Sequence, residues 1–308
     1  MATRAEIERD ITVATRQVQD VQNQVRRKCL KELADYTQRP VILYATAFGL
    51  HKYGGAPGLP FSITIEDIQG FMAALHGVKG TGLDLILHSP GGSLEAAEQI
   101  VNYLRAKFPH VRAIIPQSAM SAATMVACAC NEILMGKQSA LGPIDPQITM
   151  MGPEGPATLP AQAILDEFAL AKAEILSDPR LAAVWIPKLQ KLPHGFLKHC
   201  QTTIELAKER VASWLSDYML HDAAASKIAA NWLGSNTEHK THGRPISAAL
   251  AKSIGLNVVA MEDDQQLQDK VLSVYHATML TFEKTNCVKI IESHEGKGFY
   301  VGLHTVKP

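Results

Sequence analysis

The spacing of apolar residues changes period along this chain, and the changes predict its elements. From residue 4 to residue 36, Ile7, Ile11, Ala14, Val18, Val21 and Val25 recur at alternating spacings of four and three among Arg, Glu, Asp and Gln, the pattern of an amphipathic helix. The stripe breaks at Lys28 and Glu32 while Leu30 and Leu33 stay apolar, which predicts packing on a partner helix or on the chain's own domain, not an extended coiled coil. After Pro40, Val41–Thr46 reads as a strand, and Gly54–Pro60 as a Gly/Pro-rich surface loop. Helices and strands then alternate: helix Glu66–His76, strand Leu83–His88, helix Ser93–Phe108, strand Val111–Pro116, helix Ser121–Ala129 and strand Glu132–Met135. Such alternation predicts βαβ units around a mainly parallel sheet. Ser139–Ile148 reads as an extended, Gly/Pro-punctuated stretch and Met150–Pro160 as a flexible loop. Long helical patterns follow over Ala161–Leu176 and Thr202–Leu233, and a short helix over Pro245–Leu256 stops at Gly255.

Composition narrows the picture. A chain of 308 residues with 46% hydrophobic content can bury a sizeable core, and its length fits one large domain with helical additions. The balance of 30 basic and 30 acidic residues offers no field for nucleic acid or for an anionic membrane, so neither is expected as a partner. No run of about 20 apolar residues predicts a membrane span, and the charged N-terminus lacks the pattern of a secretory signal. The five cysteines are odd in number and widely spaced, which suits a reducing, cytoplasmic setting. Cys128 and Cys130 read as small core residues.

Candidate chemistry lies at two turns. Ser89-Pro90-Gly91-Gly92 ends an apolar strand and runs into a helix, whose first turn leaves backbone N–H groups without internal partners, the donors a developing oxyanion needs. Ser118-Ala119-Met120-Ser121-Ala122-Ala123-Thr124 repeats the arrangement and opens an Ala-rich helix with a serine. Either turn alone reads as ordinary structure. In this order they suggest a nucleophile beside an oxyanion hole, and acyl transfer then also requires a base. His239 and His242 have HxxH spacing but no third ligand, so no metal is expected. The Gly54–Gly58 segment lacks the Lys-Ser/Thr of a phosphate loop, and no cofactor is expected. His88 reads as a hydrogen-bonded packing residue.

These motifs resemble the Clp protease and signal peptide peptidase A group of serine peptidases. His88–Gly92, Ser121–Thr124, Leu141–Gln147, Thr241–Ile246 and Gly255-Leu256 are most similar to the serine dehydrogenase proteinase family of that group, over roughly residues 40 to 260. The resemblance implies an α/β, Clp/crotonase-like fold of repeated ββα units with added N-terminal and C-terminal helices. It divides the chain into a helical segment 1–39, a peptidase domain 40–260 with a helical insertion at about 161–235, and an extension 261–308. It implies a serine endopeptidase acting on extended or unfolded polypeptide, assembled as a homo-oligomer. Ser121 takes the nucleophile's place, Gly92 and Ala122 those of the oxyanion donors, with Gly91 secondary. Leu141, Gly142, Ile144 and Asp145 fall in the segment where extended substrate would pair. The histidine that the Clp subunit carries in that segment is missing around Pro143–Asp145, so a lysine base of the signal peptide peptidase type is expected. Lys172, among small and apolar neighbours, ranks above Lys137, and desolvation would supply its neutral form. Asp145 would orient a base, meet a neighbouring subunit or satisfy a turn. Two rival functions stay open: a non-catalytic oligomeric scaffold, and a crotonase-type enzyme processing coenzyme A thioesters.

Overall fold

The computed structural model of the chain describes residues 21–53, 58–152 and 155–303. Helix α1 (Val21–Thr37) precedes strand β1 (Val41–Thr46); α2 (Asp67–Ala74), β2 (Gly82–His88), α3 (Leu94–Lys107) and β3 (His110–Ile115) follow. The short β4 (Ser118–Ala119) leads into α4 (Ala122–Cys128), then β5 (Glu132–Met135), β6 (Ala140–Leu141) and a hairpin of β7 (Gln147–Gly152) and β8 (Gly155–Pro160). A helical stretch contains α5 (Ala161–Ser177), α6 (Ala182–Leu189), α7 (Phe196–Trp214), a π-helical turn (Leu215–Leu220), α8 (Ala223–Leu233) and α9 (Asn236–His239). The chain returns through β9 (Ile246–Ser247), α10 (Ala248–Ser253), β10 (Val258–Ala260), α11 (Gln265–Lys284), β11 (Cys287–Ser293) and β12 (Gly298–Gly302).

The central sheet has seven strands in the order β10-β5-β3-β2-β1-β11-β12. From β10 to β1 the neighbours are parallel; β11 pairs antiparallel with β1, and β12 with β11. Both faces are covered, which is why Val41–Ala45 and Leu85–Leu87 read as apolar runs, with the buried Asp84 paired to Arg39 and Arg112. Ile42, Tyr44, Leu83, Leu85 and Leu87 pack under α2, α3, α4, α7 and α8. Val41, Leu43, Ala45 and Ile86 pack under α1 and α11. Ser93 caps α3, its hydroxyl accepting the Ala96 N–H at 3.1 Å.

Several segments differ from the sequence-based expectations. Within the segment expected as a flexible loop, residues 150–152 and 155–160 belong to an antiparallel strand pair whose second strand opens at Gly155 with φ +113°. The helix expected over Thr202–Leu233 starts earlier and is broken at His221, in left-handed backbone, and at Asp222, whose carboxylate accepts the Ala224 and Ala225 N–H groups and starts α8. The segment from residue 261 supplies α11, packed against α1, and two strands of the central sheet. Its strand is hard to see in sequence because Lys289 and Glu292 interrupt the apolar pattern, yet both are buried and paired. Glu292 holds Arg26 at 2.7 Å and Arg27 at 2.6 Å, tying α1 to β11. The first half of the expected N-terminal helix and Gly54–Pro57 lie outside the described residues. Among the described residues no helix is long and apolar enough to cross a membrane, and no disulfide is formed.

Candidate active site

Beyond the ends of β2 and β3, the two turns singled out in the sequence are bonded to each other. Ser89 N–H donates to the Ser118 carbonyl at 3.1 Å, and Met120 N–H to the Ser89 carbonyl at 2.9 Å. This brings Gly91 so close to Ser121 that an added Cβ would stand 2.6 Å from Ser121 Cβ and from the Met120 carbonyl oxygen. Gly91 has φ +99° and Gly92 φ +152°, backbone that L side chains rarely adopt. A parallel bridge then fixes which way Gly92 faces: Ile63 N–H donates to the Gly91 carbonyl and Ser93 N–H to the Ile63 carbonyl. Gly92's own N–H must therefore point away from Ile63.

Ser121 stands between β4 and α4 with φ +52° and ψ −121°. A non-glycine residue held there costs of order 1–3 kcal/mol and persists only where its surroundings over-determine it. The strand–turn–helix geometry sets the serine at the head of α4, as a nucleophile requires. Among the described residues, neither the Ala122 nor the Gly92 N–H has a hydrogen-bond acceptor, leaving two donors beside one hydroxyl. Gly91 N–H is engaged, donating to Ser89 Oγ at 3.2 Å. Thr124 locks the turn from below, donating to the Ala119 carbonyl at 2.8 Å and accepting the Gly142 N–H at 3.0 Å.

A cavity of about 350 Å³ opens over these groups, lined by Pro90–Glu95, Ser121, Ala122, Met125, Ile144 and Gln147. Thr203 and Ala207 of α7 and His242 close its far wall. His242 Nδ1 lies 2.8 Å from Asp145 Oδ1, and the Asp145 side chain is 3% exposed. Its other oxygen, Oδ2, accepts from Gln147 Nε2 at 2.9 Å and from Asn236 Nδ2 at 3.2 Å. A carboxylate so placed accepts only, so Nδ1 of His242 carries a proton, and in the neutral imidazole Nε2 is the nitrogen with the lone pair. Ser121 and His242 thus face one cavity, and no hydrogen bond joins them among the described residues.

A family model for ClpP-like SDH-type serine proteinases matches residues 11–294. The chain belongs to this family. It is also similar to two uncharacterized proteins of Methanocaldococcus jannaschii: MJ0137, 32% identical over 79% of this chain and 76% of that protein, and MJ1495, 29% identical over 76% and 71%. A family of serine proteinases calls for a nucleophile, a base and an oxyanion hole, which gives the geometry around Ser121 its chemical meaning.

Against that requirement the residues named from sequence divide. Ser121, Ala122, Gly91, Gly92 and Ile144 line the cavity, whereas Leu141 is fully buried in the core and Gly142 packs against Met120. Asp145 stands behind His242. Lys172 is exposed on α5 and is absent from the cavity wall, so it lacks the desolvation expected of a lysine base. Lys137 is exposed in a turn whose backbone N–H bonds Glu262. The HxxH spacing does not converge on a metal: His239 is buried, with Nε2 on the Trp232 carbonyl, while His242 faces the cavity. Among the described residues no group of three metal-ligating side chains occurs. His88 is buried between Phe48 and Tyr275, ring centroids 4.5 and 5.3 Å away, and burial pushes its imidazole down to about 3.

The residue that sequence reasoning missed is His242. The available sign was its place in Thr241–Ile246, a motif of the family resemblance, and the route to the site runs through β9. Ile246 pairs with Leu141, and Leu141 with Ala119 two residues before Ser121.

Proposed function

We propose that the chain is a serine endopeptidase acting on extended or unfolded polypeptide, with Ser121 as nucleophile, His242 as general base and Asp145 as its orienting carboxylate. The observation that carries this reading is the 2.8 Å contact between Asp145 and a histidine that shares a cavity with Ser121. His242 takes the role expected of Lys172. Ser121 Oγ attacks the scissile carbonyl while His242 Nε2 takes its proton. The developing oxyanion is held by the Gly92 and Ala122 amides. Collapse expels the amine, protonated by the His242 imidazolium, and water then repeats the sequence in reverse to release the acid.

A narrow cavity walled by Leu94, Met125, Ile144 and Ala207 favours one modest apolar side chain beside the scissile bond. Main-chain pairing along the segment from Leu141 to Gln147 would hold the rest of an extended substrate. A crotonase-type thioester enzyme would need the amides but neither the strained serine nor the His242–Asp145 pair, and a scaffold would need none of them. The Clp/crotonase assignment is supported by the way β3, β4 and α4 repeat the path of β2, the Ser89 bridge and α3. Self-association belongs to the same proposal: Met151 and Leu159 on the hairpin, Leu170 and Leu176 on α5, and Val184 and Ile186 on α6 are exposed apolar side chains close together in sequence. Free cysteines fit the reducing cytoplasm also proposed.

The test is labelling by a fluorophosphonate together with casein turnover. Wild type is expected to label and to cleave, Ser121→Ala to do neither, and His242→Ala to label at least 100-fold more slowly. Labelling that survives Ser121→Ala, or none in the wild type, would sink the assignment.

A further inference from the structure

The oxyanion turn rests on a buried chain of polar groups that line none of the reacting positions. Lys289 on β11 and Asp67 in the first turn of α2 form an ion pair, Nζ to Oδ1 2.8 Å, with each side chain 2% exposed. Lys289 Nζ also donates to the Ser62 carbonyl at 2.8 Å. Asp67 Oδ2 accepts the Thr64 N–H at 3.0 Å and the Tyr44 hydroxyl at 2.7 Å. Separately, Ser89 Oγ accepts the Gly91 N–H at 3.2 Å.

Two sets of contacts thus act on the same two glycines, one of them starting from the ion pair. The first passes through the backbone: Ser62 and Thr64, clamped by Lys289 and Asp67, flank Ile63, whose N–H and carbonyl bracket Gly92. The second is a side-chain bond from Ser89 Oγ to the Gly91 amide, while the Tyr44 hydroxyl braces Asp67. A buried ion pair is a poor way to gain stability, since well-packed apolar residues often match or exceed it. What it supplies here is direction. Residues 62–64 and 89–92 lie outside the regular helices and strands, so no helix or main-sheet ladder of their own fixes where the Gly92 N–H points. An oxyanion donor is effective only when aimed before the charge develops.

We infer that Asp67 and Lys289, braced by Tyr44 and acting through Ile63, and Ser89, acting on the Gly91 amide, are positioning residues that aim the Gly92 amide at the oxyanion. The inference rests on the peptidase reading of the site and adds to it the support on which its oxyanion hole depends. It extends the site to β1 and β11, strands whose side chains do not line the cavity.

Asp67→Asn leaves Lys289 buried without its counter-charge and risks unfolding, so Tyr44→Phe and Ser89→Ala, each removing a single oxygen, carry the test. Fluorophosphonate inactivation of the full chain separates the maximal rate, kinact, from the binding constant, KI. In the reaction Ser121 Oγ bonds phosphorus, fluoride leaves, the serine proton passes to His242, and the phosphoryl oxygen sits on the Gly92 and Ala122 amides. Both variants are expected to lose about 10- to 100-fold in kinact, below or near the cost of deleting a donor. KI should stay within about two-fold, with circular dichroism and thermal midpoint near those of the wild type; these figures follow from a role confined to the transition state. A merely structural role would lower the thermal midpoint and leave kinact of the folded protein unchanged, and that result overturns the inference alone. A wild type without Ser121-dependent labelling overturns the proposed function and this inference together.

Discussion

Replacing Asp145 by asparagine tests the histidine assignment at the level of a single proton. Oδ2 of Asp145 faces two N–H donors, from Gln147 and Asn236, while Oδ1 faces His242 Nδ1 at 2.8 Å. An asparagine placed there keeps its bonds only by setting its oxygen at the Oδ2 position, which turns its NH₂ toward the imidazole. Nδ1 must then accept, the proton moves to Nε2, and the base has no lone pair for Ser121. A wrong tautomer of this kind costs about 10⁴-fold in kcat, or about 5.4 kcal/mol at 1.36 kcal/mol per decade. The alternative is an amide flip that restores the productive tautomer but points NH₂ at two donors, at about 1–3 kcal/mol each. The flip therefore costs about 2–6 kcal/mol, and the expected loss lies between about 30-fold and 10⁴-fold. Fluorophosphonate inactivation and casein turnover measure it, with circular dichroism to show that the variant is folded. A folded Asp145→Asn protein within about three-fold of the wild-type rate would refute the tautomer argument and with it the role of His242.

Lys172→Ala is expected to change casein turnover by less than about two-fold, because this side chain is exposed and off the cavity wall; a loss beyond about 100-fold in folded protein would return the base to Lys172. In Gly92→Ala the new Cβ would overlap the Ile63 backbone at a φ of +152°, so labelling should fall by at least about 10²-fold and the thermal midpoint should drop; wild-type labelling would show that the Gly92 amide is not a donor. His88 links stability to pH. Its folded value of about 3 lies below the ordinary 6.5, so its stabilising effect is full above pH 6.5 and is lost as pH falls toward 3, because the unfolded chain takes up the proton first. Between pH 7 and pH 5 this amounts to about 2 kcal/mol, so the stability gap between wild type and His88→Gln, from urea melts, should shift by that much against the wild type. A gap that stays constant with pH would refute the buried neutral state.

How much of this was legible in sequence depended on the range of the interactions involved. Ser93 caps its helix through a hydroxyl three residues from its partner, and Leu85–Leu87 is apolar because both faces of its strand are covered. The Gly91-Gly92 pair marks backbone at positive φ. Those are local demands of chain geometry, and they were enough to mark the two turns, within which the family resemblance named Ser121, Ala122 and Gly92. The base was a different problem. Asp145 and His242 are 97 positions apart and meet because β9 pairs with β6, two short strands whose register no local pattern specifies. Lys172 looked suited to the task because its sequence neighbours are small or apolar, but burial is decided by what packs on a helix face, and among the described residues Lys172 is exposed. Likewise the charges of Lys289 and Glu292 hid a core strand, since their partners Asp67 and Arg26 lie 222 and 266 positions away. By itself the sequence determined the sheet-forming runs, the two turns and the serine between them, because turns and caps are satisfied by neighbours along the chain. Only the tertiary structure decided which histidine, carboxylate and buried ion pair stand behind that serine, because they meet through pairings that exist only once the sheet is assembled.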